Sequence, residues 1–167
     1  LLQMPISNRL DLVNRCIDGV GQVAREWVDS ACQAKGLEAD GPASSEEVLG
    51  GPIATIRFLR LLAQTLRDIE STGKPKLPGR VRQEHGQCRI PVFPTPLMFD
   101  SLTFRPMTAE TWLQPGVDPN SVSAESTARL QGKDLEPEVH VVLGAGNVAS
   151  IAATDALTKI LMENQAV

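Results

Sequence analysis

Three cysteines and two histidines are the whole supply of thiol and imidazole ligands in this chain. Cys16, Cys32 and Cys88 lie far apart, no C-x-x-C occurs, and His85 and His140 complete no zinc spacing. A zinc site is therefore not expected, and separated free thiols in odd number suit a reducing, cytoplasmic setting. No apolar run reaches the roughly 18 residues of a membrane helix. Leu1 to Pro5 lack the charged and apolar segments of a signal peptide. Basic charge is scarce as well. The net charge of −4 and the pI of about 5.2 argue against nucleic acid or an anionic membrane as partner. No Ser–His–Asp logic, no P-loop lysine and no convincing carboxylate pair is present. What remains is 167 residues, 42% hydrophobic and 22% charged, enough for one domain with a real core.

The most informative stretch is His140-Val-Val-Leu-Gly-Ala-Gly-Asn-Val-Ala-Ser150 with the residues that follow it to Met162. Val139, Val141, Val142 and Leu143 form a near-continuous apolar run, which predicts a strand covered on both faces. Gly144 and Gly146 open a tight turn where backbone amides can approach a ligand. From Ile151 to Met162 the pattern is helical, with Ala152, Ala156, Leu157, Ile160 and Leu161 on the apolar face. Free N–H groups and the positive end of the helix dipole then meet at one point, suited to a phosphate, a carboxylate or a developing oxyanion. Gly144-Ala-Gly-Asn-Val-Ala149 also fits the loose dinucleotide fingerprint G-x-G-x-x-G/A. A turn whose small residues serve only strand–helix packing fits the same pattern.

Upstream, the spacing Leu10, Val13, Ile17, Val20, Ala24, Trp27, Ala31 predicts one long helix over residues 7–35, capped by Ser7 or Asn8 and stopped by Gly36. Cys16 and Cys32, at the margins of its stripe, read as small core-facing hydrophobes. Ser44-Ser-Glu-Glu47 reads as a capping box for a short helical turn. Pro52 then opens a helix to about Ser71, buried through Ile53, Ile56, Leu59, Leu62, Ala63, Leu66 and Ile69. Arg57, Arg60 and Arg67 read as its solvated face. Gly73 ends it. Residues 73–82 read as an extended connector. Gln87–Phe93 alternates like a strand, placed at an edge by Pro91. Phe99, Leu102 and Phe104 read as packing anchors on a loop, residues 108–113 as a further strand, and residues 117–137 as a polar surface segment with a short helix near 124–130. Asp155 and Lys159 read as a helix-surface ion pair.

The chain thus divides into a helical region (1–72), an irregular strand-bearing region (73–137) and the opening of an α/β cofactor domain (138–167). With Gln165-Ala-Val167 starting a second strand, it is expected to be the N-terminal part of a longer protein. Residues 139–167 resemble the start of the cofactor domain in the aldehyde dehydrogenase superfamily, including its acyl-CoA-reductase-like branch. The likeness lies in the turn Ala145-Gly-Asn147 and in the run Glu163-Asn-Gln-Ala-Val167. Gly51-Pro-Ile-Ala-Thr-Ile-Arg-Phe-Leu-Arg60 with its continuation to Glu70, Gly73-Lys-Pro-Lys-Leu-Pro-Gly79, Val92-Phe-Pro94 and Glu110-Thr-Trp-Leu-Gln-Pro-Gly116 resemble a divergent bacterial group of the same kind.

The resemblance implies a truncated aldehyde-dehydrogenase-like α/β fold, NAD or NADP as cofactor, and an aldehyde or acyl thioester as substrate. It implies attack by a cysteine on the carbonyl carbon and hydride transfer to or from the cofactor. The cysteine and the base would lie beyond residue 167. Asn147 matches the turn asparagine that donates its side-chain amide to the oxyanion. Gly144, Ala145, Gly146 and Val148 would line the cofactor. The residues before Asn147 depart from the typical Pro-Trp-Asn, being Ala145 and Gly146. Two other readings stay open: a different Rossmann-type oxidoreductase using the Gly144-Ala-Gly146 turn, and a non-catalytic module that self-associates through helices 8–35 and 52–71.

Overall fold

The computed structural model describes residues 4–132 and 136–167. Leu1 to Gln3, part of the signal-peptide reading, and residues 133–135 of the polar segment lie outside them. The architecture is mixed: helices and a small three-stranded antiparallel sheet, broadly α/β.

Helix α1 (Ile6–Lys35) is the long helix expected from the apolar spacing. Its start differs from expectation. Pro5 takes the cap position and its carbonyl accepts the Arg9 N–H at 3.0 Å, so neither Ser7 nor Asn8 caps. Its end is as expected: Gly36 adopts φ 68°, and the Leu37 N–H reaches back to the Cys32 carbonyl at 2.8 Å. Cys32 is completely buried and Cys16 half-buried, both free.

Helix α2 (Ser44–Val48) follows, but without the expected capping box. Ser44 lies inside the helix and its hydroxyl donates back to the Gly41 carbonyl, while Glu47 turns inward. A π-helical turn, Leu49–Ile53, leads into helix α3 (Ala54–Thr72). Pro52 therefore sits in the turn rather than opening α3. Gly51 makes the kink (φ −109°, ψ −106°) beside the Trp27 indole. Helix α3 stops at Gly73, in left-handed conformation.

The core forms where α1 meets α3. Val13, Leu59, Leu62, Ala63, Leu66 and Ile69 pack with Leu130 and Leu161 from later in the chain. Each fully buried leucine contributes about 2–3 kcal/mol of transfer free energy. Arg9 is buried in the same layer and donates from Nη1 to the Leu161 carbonyl at 3.0 Å. It ties the first helix to the last helical segment across 152 residues. Arg9→Ala should cost about 2 kcal/mol, through the lost stem packing and a carbonyl deprived of its charged donor. Arg9→Met, which keeps the stem, should lose about half as much. Urea midpoints of the two variants test this.

The sheet consists of β1 (Arg82–Glu84), β2 (Gln87–Phe93) and β3 (Ala109–Trp112), in that order. β2 is the central strand, not the edge that Pro91 suggested. The reason is local: β1 pairs β2 only as far as Arg82↔Arg89, so only β3 runs alongside at Pro91. On one face Arg89 stacks 3.7 Å from the Trp112 ring centroid and pairs with Glu84 at 2.6 Å. On the other, Cys88 and Ile90 are buried.

A short helix, α4 (Met98–Thr103), follows β2, and α5 (Pro119–Leu130) follows β3. Phe104 packs edge-on with Phe93 and Phe99, but Leu102 is 68% exposed on α4 and anchors nothing. Arg57 does not lie on a solvated face. It grips Asp100 of α4, from Nε at 3.2 Å and Nη2 at 2.8 Å, and so fastens α4 to α3.

Candidate functional site

The segment before the glycine turn does not form the expected strand buried on both faces; it makes only an isolated bridge at Val139. Val139, Val141 and Leu143 are 81–84% exposed, whereas His140 and Val142 are half-buried. Side chains alternate along extended backbone, and only one of the two faces is covered. Pairing occurs at one place, a parallel bridge between Val139 and Ala166. The His140 N–H donates to the Ala166 carbonyl at 2.8 Å, and the Ala166 N–H donates to Glu138 at 3.0 Å. The buried Gln165 fixes this register: its Oε1 accepts the Glu138 N–H, and its Nε2 donates to the Glu136 carbonyl.

Helix α6 (Ser150–Leu157) continues through a π-helical turn, Thr158–Met162. Leu161 enters the core, with Leu157, Ile160 and Met162 around it, which agrees with the expected apolar face. Asn164 ends the segment at φ 58° and donates its side-chain amide to the Arg129 carbonyl at 2.6 Å. Lys159 pairs with Glu163 one turn onward at 2.8 Å, not with Asp155.

The five turn residues expected to matter divide by role. Gly144 is a packing residue: a Cβ there would stand 3.1 Å from the Ala152 Cβ. Gly146 is different, since a Cβ there would meet nothing within 4 Å. Ala145 and Asn147 are exposed beside it. Val148 is half-buried and leans toward Gly50 of the first π-helical turn, so it seats the glycine turn on the helical region. Gly144→Val should therefore cost about 1–2 kcal/mol by overpacking. Gly146→Ala should stay within about 0.5 kcal/mol of the parent. Paired thermal melts separate the two.

A contact invisible in the local sequence pattern holds this turn. The Lys35 ammonium donates to the Asn147 backbone carbonyl at 2.7 Å and to Glu47 Oε1 at 2.5 Å. The Glu47 side chain is 3% exposed. Three segments thus meet at one ammonium: the end of α1, the buried side of α2 and the glycine turn.

The three cysteines are free and at least half-buried. Cys32 is enclosed by the helices. Cys88 is buried in the sheet, accepting from Gln83 Nε2 at 3.3 Å. Burial pushes the Cys16 thiol pKa up, against a smaller opposing effect of Arg15. A reactive thiolate needs the opposite shift. The apolar stripes of α1 and α3 pack against each other in the core. A cleft of about 490 Å³ lies apart from the turn, between α3 and residues 92–97. Asp68 lines it, already engaged by Gln64 and Lys76.

Among the described residues no helix is long and apolar enough to cross a membrane. No family model, curated protein or solved structure matches the chain.

Proposed function

We propose that this chain supplies the helical region and the first strand–turn–helix of an NAD(P)-dependent oxidoreductase of the aldehyde-dehydrogenase kind. Its substrate is an aldehyde or acyl thioester, and its cysteine nucleophile lies beyond residue 167. One observation carries the reading. A single parallel bridge, Val139–Ala166, brings the segments on either side of the turn and helix together, and Asn147 stands exposed on the turn beyond the carboxyl end of the first bridged segment. Ligands of open α/β sheets bind at that end.

Nothing stands within 4 Å of a Cβ at Gly146, and Ala145 and Asn147 beside it are exposed, which leaves room for a dinucleotide to approach the turn. When bound, NAD(P) would supply the hydride acceptor or donor. The role of the chain's own residues is placement. Gly144 lets the helix close on the strand, Gly146 leaves the turn open to approach, and Asn147 directs an amide N–H toward a developing oxyanion.

The test begins with the coding DNA past codon 167. A frame running through a lysine-bearing second strand to a cysteine in a glycine-rich loop supports the reading, and the encoded protein should reduce NAD(P) with an aldehyde. An acidic residue at the end of that second strand would favour a different Rossmann enzyme. The 167-residue chain alone should show no aldehyde-dependent absorbance change of NAD(P), since the nucleophile is assigned beyond residue 167. Robust turnover by it would refute the assignment of the nucleophile.

A further inference from the structure

We infer that Lys35 is the positioning residue of the Asn147 turn, an inference that rests on the oxidoreductase reading for its catalytic purpose. The geometry is specific. Lys35 is the last residue of α1, and Gly36 turns the chain away at once in left-handed conformation. The ammonium is left bridging the buried Glu47 carboxylate and the carbonyl of Asn147 itself.

A single backbone carbonyl is a weak target for a mobile lysine. Here Glu47 is fixed, with its side chain 3% exposed, and the Lys35 side chain is 26% exposed. The carboxylate anchors the ammonium, and the anchored ammonium holds the carbonyl. Charge-assisted hydrogen bonds of this kind are shorter and stronger than neutral ones. Because the carbonyl of Asn147 is held, the peptide plane that follows it is held. The orientation of the Asn147 side chain depends on that same backbone.

The hold also explains why a helical region far away in sequence belongs to the site. Val148 rests near Gly50, and Lys35 grips the residue just before it. The helices are the seat of the turn. A catalytic donor must stand within about 0.5 Å of its productive place, and such precision comes from groups that lock it from behind.

The test uses backbone ¹⁵N relaxation on the full 167-residue chain, read at Gly146, Asn147 and Val148. Order parameters should be near about 0.85 in the parent and fall below about 0.6 in Lys35→Met, with α1 and α3 unchanged. Lys35→Met strands a buried carboxylate, so a second variant, Lys35→Met with Glu47→Met, removes both charges. It should loosen the turn equally while keeping the core. Lys35→Arg, which keeps a charged donor, should restore order.

In the active oxidoreductase, Lys35→Met should lower kcat about tenfold or more with KM for the aldehyde unchanged. Unchanged order parameters in both methionine variants would overturn the inference. A loosened turn with unaltered kcat would overturn the positioning role. If the unaltered protein has no NAD(P)-linked turnover, the oxidoreductase reading fails and takes the catalytic purpose with it. Relaxation still decides whether Lys35 holds the turn.

Discussion

Asp100→Ala should destabilise the protein by about 3 kcal/mol, because it leaves a partly desolvated arginine without its carboxylate. Asp100 is fully buried and its carboxylate accepts four hydrogen bonds. Two come from the Arg57 guanidinium, and two from Thr95, through its N–H at 3.3 Å and its hydroxyl at 2.5 Å. Burial works against ionisation of this carboxyl, but the hydrogen bonds from Arg57 and Thr95 outweigh it and hold the pKa below the ordinary carboxylate value.

The sign of the pH dependence follows. A carboxyl whose folded pKa is depressed contributes stability in full above its unfolded value, about 4. That contribution is lost as pH falls from there through the folded pKa. Asp100→Asn, which cannot titrate, should show a flatter stability curve below about pH 4 than the parent. The fold supplies a reporter for both effects. Trp112 sits in the sheet and Trp27 on α1, so fluorescence of a Trp27→Phe variant follows the sheet region alone. If Asp100→Ala shifts the urea midpoint of Trp112 no more than an exposed-surface change does, the Arg57–Asp100 contact is not what fastens this region to α3.

That pair also shows where sequence reading stops. Periodicity finds an element through its own residues, so α1, α3 and the apolar side of α6 were legible from their three-and-four spacings. Gly36 and Gly73 were legible as stops, since each takes a left-handed conformation that other residues resist. Arg57 carried no such mark. An arginine on the polar side of an amphipathic helix is usually solvated, and its partner lies 43 residues away on a six-residue helix with no periodicity to detect.

Glu47 misled for a related reason. Its spacing from Ser44 matches a capping box, but its buried side chain is held by an ion pair to Lys35 instead. Pro91 misled through topology. Its edge character is real, yet it belongs to the end of a central strand, where β1 has already stopped. In each case the deciding partner is distant in sequence. At the glycine turn, the helix that follows was legible, whereas the expected strand before it is reduced to a single bridge to Ala166, and the hold by Lys35 and the bare face of Val139, Val141 and Leu143 emerge only from the assembled chain.

On the proposed oxidoreductase reading, Asn147→Ala in the complete enzyme should lower kcat by about 10²–10³ and leave KM nearly unchanged. An oxyanion donor acts on charge that develops in the transition state, so its loss appears in turnover rather than in ground-state binding. The structure makes this substitution unusually clean. Asn147 is exposed, and the contact that anchors it uses its backbone carbonyl, which alanine keeps. Stability should therefore stay within about 0.5 kcal/mol of the parent. Asn147→Asp offers a second arm, because it replaces the N–H donor with an acceptor of negative charge. It should be at least as slow as alanine, with the turn still ordered by Lys35. A kcat that survives both changes in a folded protein would remove Asn147 from the chemistry. The Lys35–Glu47 hold would then be a device for joining the helices to the strand–turn–helix unit, and the oxyanion donor would have to come from the backbone amides of the same turn.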